Sequence, residues 1–365
     1  MDPETPIDAI IHLAFAFDLG YEIDLERARP LLSGEAGGLT RRRRTPESIR
    51  YRPAPLRLAL DASGVALPAP ARSIEPPRAD LSLFDFGAIS LVFRFPVSMT
   101  PDELLALAGE LAEPTELTAS ARLVLAPWLD RIRPVVTEFE VSDLSEEYVI
   151  FQLGEATPGW LDARREWLAG LVRLETGPMS PQEIQEATRR SLSYAPSDAI
   201  VIDWAAAVVA DRDCDDTIQV LEFANVQLLE YRHIDDRLDD RIERAYATIH
   251  PDRPRVRLRL PMVWSPTHND AVRQVRELEI EATSLFERAD NALKLIGDQY
   301  LVRVYDLASA RFHLPEWQNS IRRKLETVGN VYDLLLSQAG HRRAEFLELI
   351  IILLIAMEIV LAFFR

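Results

Sequence analysis

Leu81–Phe95 reads LSLFDFGAISLVFRF. Two runs rich in Leu, Ile, Val and Phe flank Asp85, Phe86 and Gly87. Turn-forming residues between two β-rich runs predict a hairpin or a bulged strand. Just downstream, Thr100, Pro101 and Glu103 supply an N-cap, a first-turn proline and the carboxylate of a capping box. A helix is therefore expected to open there and run to about Leu111.

Elements of both kinds recur on either side of this stretch. Ala9–Phe17, AIIHLAFAF, is a strand candidate, with a short helix expected around Leu25–Leu32 and a further strand at Leu56–Leu60. Downstream, Ala119–Ile132 and the amphipathic Trp160–Leu174 predict helices, and Glu147–Leu153 predicts a strand. Ser180, Pro181 and Glu183 repeat the capping signature and open a helix to about Leu192. Ala199–Trp204 and Ala206–Ala210 are two short β-like runs. Because strands and helices alternate irregularly, the expected class is α+β. An antiparallel or mixed-sheet N-terminal domain with helices on one side fits best.

The pattern changes after Asp215. Ile218, Leu221, Asn225, Leu228, Tyr231, Ile234, Leu238, Ile242, Tyr246 and Ile249 advance by three or four residues. That spacing predicts a long helix with one apolar seam. Pro251–Pro261 interrupts it. Val272 to Tyr300 and Ile321 to Leu336 continue the period, so a helical hairpin or coiled-coil stalk is expected. The resulting division is 1–80, a strand, helix and basic loop; 81–214, the α+β core; 215–345, the stalk; and 346–364, a terminal helix.

That last segment, Phe346–Phe364, reads FLELIIILLIAMEIVLAFF. As a helix, nineteen residues span roughly 28 Å, close to the hydrocarbon thickness of a bilayer. Fourteen of them are Leu, Ile, Val or Phe. Together these favour insertion by about 4–8 kcal/mol, against about 2–3 kcal/mol for a charged Glu358 near the bilayer centre. His341, Arg342 and Arg343 precede the run and orient it with the bulk of the chain on the cytoplasmic side. The segment is expected to be a single-pass membrane anchor, with burial of the same helix inside an oligomer as the other reading.

The 365 residues carry a net charge of −17, which argues against nucleic-acid binding through the whole surface. Between Arg27 and Arg57, however, stand nine arginines and only two acids. Arg41, Arg42, Arg43 and Arg44 are consecutive. They are either a solvated loop or a contact for anionic lipid or ribosomal RNA phosphates. Cys214 is the single cysteine, which excludes an internal disulfide and a cysteine-based metal site. Lys294 and Lys324 are the only lysines, an arginine bias that suggests a GC-rich bacterial genome. The first positive side chain is Arg27, after seven acids, which is unlike a secretory or mitochondrial leader. The expected location is the bacterial cytoplasmic membrane.

The closing Leu-Glu, apolar run, Leu-Ile-x-x-Glu resembles the tail motif of the required-for-meiotic-nuclear-division (RMD) family, a family of unknown function found in bacteria and mitochondria. Leu347, Glu348, Leu354, Ile355 and Glu358 occupy its positions. LFDFGAISLVFRF is similar to that family's Phe-x-Tyr-Gly run, although Asp85 and Phe86 replace the basic residue and the Tyr. SDAIVIDWAAAVVAD, at residues 197–211, also fits. The resemblance implies a membrane-bound, non-catalytic protein, and its mitochondrial members are associated with ribosomes and translation.

The sequence holds no glycine-rich phosphate loop, G-x-S-x-G or H-E-x-x-H. Its six histidines are scattered and read as helix-surface or capping residues. Asp211, Asp213, Asp215 and Asp216 surround Cys214 without Ca²⁺-loop spacing, and read as an acidic helix N-terminus. No catalytic residue, cofactor or metal ligand is therefore expected. The expected role is a self-associating scaffold or tether on the lipid bilayer, with an enzyme whose site lies unrecognised in the α+β domain as the alternative.

Overall fold

The computed structural model describes residues 5–32, 54–68, 71, 73–249, 280, 282–284, 286–287, 299–330, 354–355 and 357. The chain divides into two compact units. The first comprises Met1–His233 with Leu285–Glu316, and the second Ile234–Ser284 with Trp317–Arg365.

An eight-stranded mixed sheet organises the first unit. Its strands are β1 (Ile7–Asp18), β3 (Leu56–Asp61), β4 (Arg78–Leu83), β5 (Ala88–Met99), β7 (Ser145–Leu153), β8 (Ser191–Leu192), β9 (Ala199–Ile202) and β10 (Ala206–Ala210), in the order β3-β4-β5-β1-β7-β10-β9-β8. Every pairing is antiparallel except β7 with β10. A parallel pair needs a crossover connection. Here α4 (Trp160–Ala163), α5 (Arg165–Arg173), α6 (Pro181–Ala187) and the β8–β9 hairpin lie between the two strands in sequence. β2 (Glu22–Ile23) and β6 (Val136–Thr137) form a separate two-stranded ribbon.

The stretch 81–95 does form a hairpin, β4 to β5. Phe84 N–H donates to Ala88 O at 2.9 Å, and Gly87 has φ +99°. The chain leaving β1 crosses this turn, with Leu19 N–H donating to Gly87 O at 3.1 Å. That crossing demands two glycines. A Cβ on Gly87 would stand 1.8 Å from Gly20 O, and one on Gly20 would stand 2.7 Å from Glu138 O. The predicted capping box is also present. Thr100 N–H donates to Glu103 Oε2 at 2.9 Å, and Glu103 N–H donates to Thr100 Oγ1 at 3.3 Å, opening α2 (Pro101–Glu110).

Strand periodicity separates the two faces of the sheet. Leu58, Leu81, Leu91 and Phe15 are aligned across β3, β4, β5 and β1. With Leu13, Phe17 and Phe93 they face a dry core that also takes in α1 (Leu25–Leu32), α2, α3 (Thr115–Ile132) and α5. Each fully buried Phe or Leu there contributes about 1.5–3 kcal/mol of transfer free energy.

The opposite face is covered as well, which corrects the expectation of helices on one side. The part of α7 (Asp215–Ile249) up to His233 and α8 (Gln299–Arg311) supply the cover. Phe84 and Tyr305 both pack on Phe223 of α7, with ring centroids 6.2 and 6.3 Å away. Tyr305 Oη also donates to Gln227 Oε1 at 2.6 Å. Just past α8, Phe312 meets Tyr148 edge-on at 5.0 Å. Within this unit α7 is therefore no single-seamed helix. Val220, Leu221, Phe223, Ala224, Val226 and Leu229 are all buried, and so are Glu222, Asn225, Gln227 and Glu230.

In the second unit, Lys324 lies on the helical residues 317–330. Its Nζ lies 2.8 Å from Asp235 Oδ2 and 2.6 Å from Asp239 Oδ1, one turn apart on α7. Burial pulls this ammonium down, but the two carboxylates outweigh it and raise its pKa.

Candidate functional site

The sheet face beneath α7 is built from alternate residues of the same strands that build the dry core. Arg57, Ser82, Ser90, Ala16 and Glu146 stand opposite one another across β3, β4, β5, β1 and β7. Two residues along, the row is Ala59, Asp80, Val92, Ala14 and Tyr148; the next contains Arg94, His12 and Ile150. Small and polar side chains leave room for the helix and supply partners to its polar residues. Arg57 pairs with Glu222 at 3.1 Å. Arg94 bridges Asp80 at 2.8 Å and Asp215 at 3.5 Å. Asn225 Nδ2 donates to Glu146 O at 3.2 Å.

His12 belongs to this layer. It is fully buried on β1, with Nε2 2.9 Å from Gln152 Oε1. The expectation that it lies on a helix surface or in a cap is corrected. The legible signal was alternation: His12, Ala14, Ala16 and Asp18 interleave with Ile11, Leu13, Phe15 and Phe17.

A second charged centre lies in the β9–β10 turn, inside the 197–211 stretch singled out in the sequence. Asp203 is fully buried. Its Oδ2 lies 2.9 Å from Arg173 Nε, its Oδ1 pairs with the Arg311 guanidinium, and Trp204 N–H donates to the same oxygen at 2.6 Å. Tyr148 Oη donates to the Asp203 carbonyl at 2.9 Å. Burial raises the Asp203 pKa, while the Trp204 N–H, Arg311 and Arg173 draw it back. Burial, reinforced by the Asp203 charge, also raises Tyr148 well above the ordinary phenol value. The cluster ties α5, β7, α8 and the turn together. Arg311 is 108 residues from Asp203, a distance that sequence periodicity does not bridge.

A third cluster closes the unit where α7 leaves it. Arg232 pairs with Glu146, and His233 Nε2 lies 3.5 Å from Asp18 Oδ1. Burial pushes Glu146 up to about 7 against the attraction of Arg232.

A groove of about 520 Å³ opens beside the start of α3, lined by Thr118, Arg122 and Glu147 among others. Two of its charged groups are held by other parts of the protein. Glu147 accepts from Thr118 Oγ1 at 3.2 Å and Ser145 Oγ at 3.0 Å. Arg122 donates to Asp143 O at 3.1 Å and lies over the Phe17 ring at 5.1 Å. Cys214 is buried, and burial together with Asp211 and Asp215 pushes its thiol up to about 12, which suppresses its reactivity. No group of three metal-ligating side chains exists among the described residues.

Of the residues singled out in the sequence, Leu354 and Ile355 are helical and half exposed. Leu347, Glu348, Glu358, Arg41, Arg42, Arg43 and Arg44 lie outside the described residues. Among the described residues no helix is long and apolar enough to cross a membrane.

The family model described as "Uncharacterized protein MJ0711, N-terminal domain" matches residues 8–217, from β1 to the first turn of α7. The chain belongs to this family. Uncharacterized protein MJ0711 of Methanocaldococcus jannaschii is 22% identical over 237 residues, 64% of this chain and 70% of that protein. No solved structure matches. A domain family of unknown function is what the sequence implied; the RMD label does not follow from this match. The matched region spans the whole sheet with its polar layer and the Asp203 turn, so the MJ0711 N-terminal domain corresponds to the sheet and the cover of its dry face.

Proposed function

We propose that this protein is a membrane-held scaffold: an MJ0711-type α+β domain fixed to a bilayer through residues 346–364. One observation carries the reading, the nineteen-residue apolar run with His341, Arg342 and Arg343 before it. The likeness of Leu347, Glu348, Leu354, Ile355 and Glu358 to the RMD tail motif belongs to the same proposal. One feature of the α+β domain supports it. The buried charges Asp203 and Glu222 are engaged in internal ion pairs. The Arg41–Arg44 run is the proposed contact with an anionic partner, either bilayer headgroups or ribosomal RNA.

The test is carbonate extraction of membranes carrying the whole chain or a chain ending at Gln338. The whole chain should remain in the pellet and the shorter one should be released. An integral behaviour of the shorter chain would remove the anchor from residues 346–364.

A further inference from the structure

We propose that the end of the α7 seat is a clamp that tightens as protons are taken up. The proposal concerns the first unit alone and is independent of the membrane reading. β1 and β7 pair with Ala16 opposite Glu146, so Asp18 and Glu146 share a face at one end of the sheet. Arg232 and His233, adjacent on α7, meet them there. His233 is the last residue of the unit, so these contacts hold the final turn of α7 that rests on the sheet.

The charged groups that meet are Asp18 from β1, Glu146 from β7, and Arg232 and His233 from α7, and the charge of Glu147 also acts on Glu146. The loop between β6 and β7 adds Ser142, with Oγ 3.4 Å from His233 Nδ1. His233 thus stands between a hydroxyl and a buried carboxylate. Its attraction to Asp18 is that of an ion pair only while the imidazole is protonated. Glu146 is one-eighth exposed at its side chain, and its carboxylate pays for burial when ionised.

Both groups act in the same direction. For Glu146 the folded value of about 7 lies above the unfolded 4.5. Its contribution is complete below the unfolded value and is lost as pH rises through 7. The His233–Asp18 attraction is likewise present in acid and lost as the imidazole gives up its proton. Arg232 keeps its charge throughout and moderates the cost of ionised Glu146. The seat is therefore firmest in acid and loosens as the pH rises from 4.5 through about 7.

The experiment is amide hydrogen exchange of the whole chain between pH 6 and pH 8, corrected for intrinsic exchange rates. Residues 226–233 are compared with β5 as an internal reference. In the wild type, opening of 226–233 should be about tenfold more frequent at pH 8 than at pH 6, with β5 unchanged. Glu146→Gln should remove most of that difference while the seat stays closed at both pH values, and Glu146→Gln with His233→Gln should abolish it. Equal pH dependence in the wild type and the double variant overturns the clamp, as does wild-type loosening toward acid. If a variant does not fold, the wild-type direction of change decides alone.

Discussion

Asp203 and Arg311 are joined by an ion pair in which the carboxylate has no solvent exposure and the guanidinium very little. The strand β9 ends one residue before Asp203, and α8 ends at Arg311. A contact between the last residue of one element and the turn of another fixes both in position. Removing one partner of a buried pair leaves the other charge uncompensated, which costs about 3–5 kcal/mol. Since Arg173 remains beside Asp203, Arg311→Met should cost about 3 kcal/mol, the lower end of that range. Urea unfolding measures it, and a loss below about 0.5 kcal/mol, the range of ordinary surface changes, would show the pair to be dispensable.

Gly87 is the most constrained glycine of the β4–β5 turn. Alanine there meets a positive φ and the carbonyl of Gly20 together, and each problem is of the 1–3 kcal/mol kind. Gly87→Ala should lower stability by about 3 kcal/mol or more. Gly154→Ala, where an added Cβ meets nothing within 4 Å, serves as the control and should be close to neutral. Similar melting temperatures for the two variants would contradict the crossing described here.

Thr100 caps α2 through both halves of the capping box. Thr100→Ala should cost about 1 kcal/mol, and Thr100→Ser should retain most of the stability because the hydroxyl is kept. Thermal melts of the two variants separate loss of the hydroxyl from loss of the methyl group. Equal destabilisation by Ser and Ala would point away from the cap.

In the proposed contact, Arg41–Arg44 would engage several phosphates at once, so binding through them should fall steeply with salt. Changing Arg41, Arg42, Arg43 and Arg44 to Ser should weaken association of the chain with anionic vesicles or with ribosomes and flatten the salt dependence. Vesicle binding requires anionic lipid, whereas ribosome co-sedimentation does not, so the partner is distinguished. Equal binding of both targets by wild type and variant across the salt series would reduce the run to a solvated loop.

In the proposed anchor Glu358 would lie deep in the bilayer, where a carboxylate is neutral or paired. Glu358→Leu should leave membrane association intact and reduce cross-linked oligomers, if the residue joins copies of the chain. An unchanged yield of oligomers would leave it no part in self-association.

The sequence by itself determined what is set by neighbouring residues. Thr100, Pro101 and Glu103 specified a helix start because capping is a matter of three or four consecutive backbone N–H groups. Asp85–Gly87 specified a turn, and Ile11, Leu13, Phe15 and Phe17 specified the apolar face of a strand through a period of two. Tertiary structure decided which strands pair. The parallel contact of β7 with β10 joins residues more than fifty positions apart and leaves no local signature. It also decided what α7 is: apolar spacing shows one stripe, which includes Asn225, whereas Glu222 and Gln227 are buried too because Arg57 of the sheet and the Tyr305 hydroxyl of α8 partner them. The Asp203, Arg173 and Arg311 centre was equally hidden, because a charged residue looks solvated in sequence until its partners arrive from other elements. Burial of a polar group depends on a distant partner to offset its desolvation, and such pairing exists only once the chain has folded.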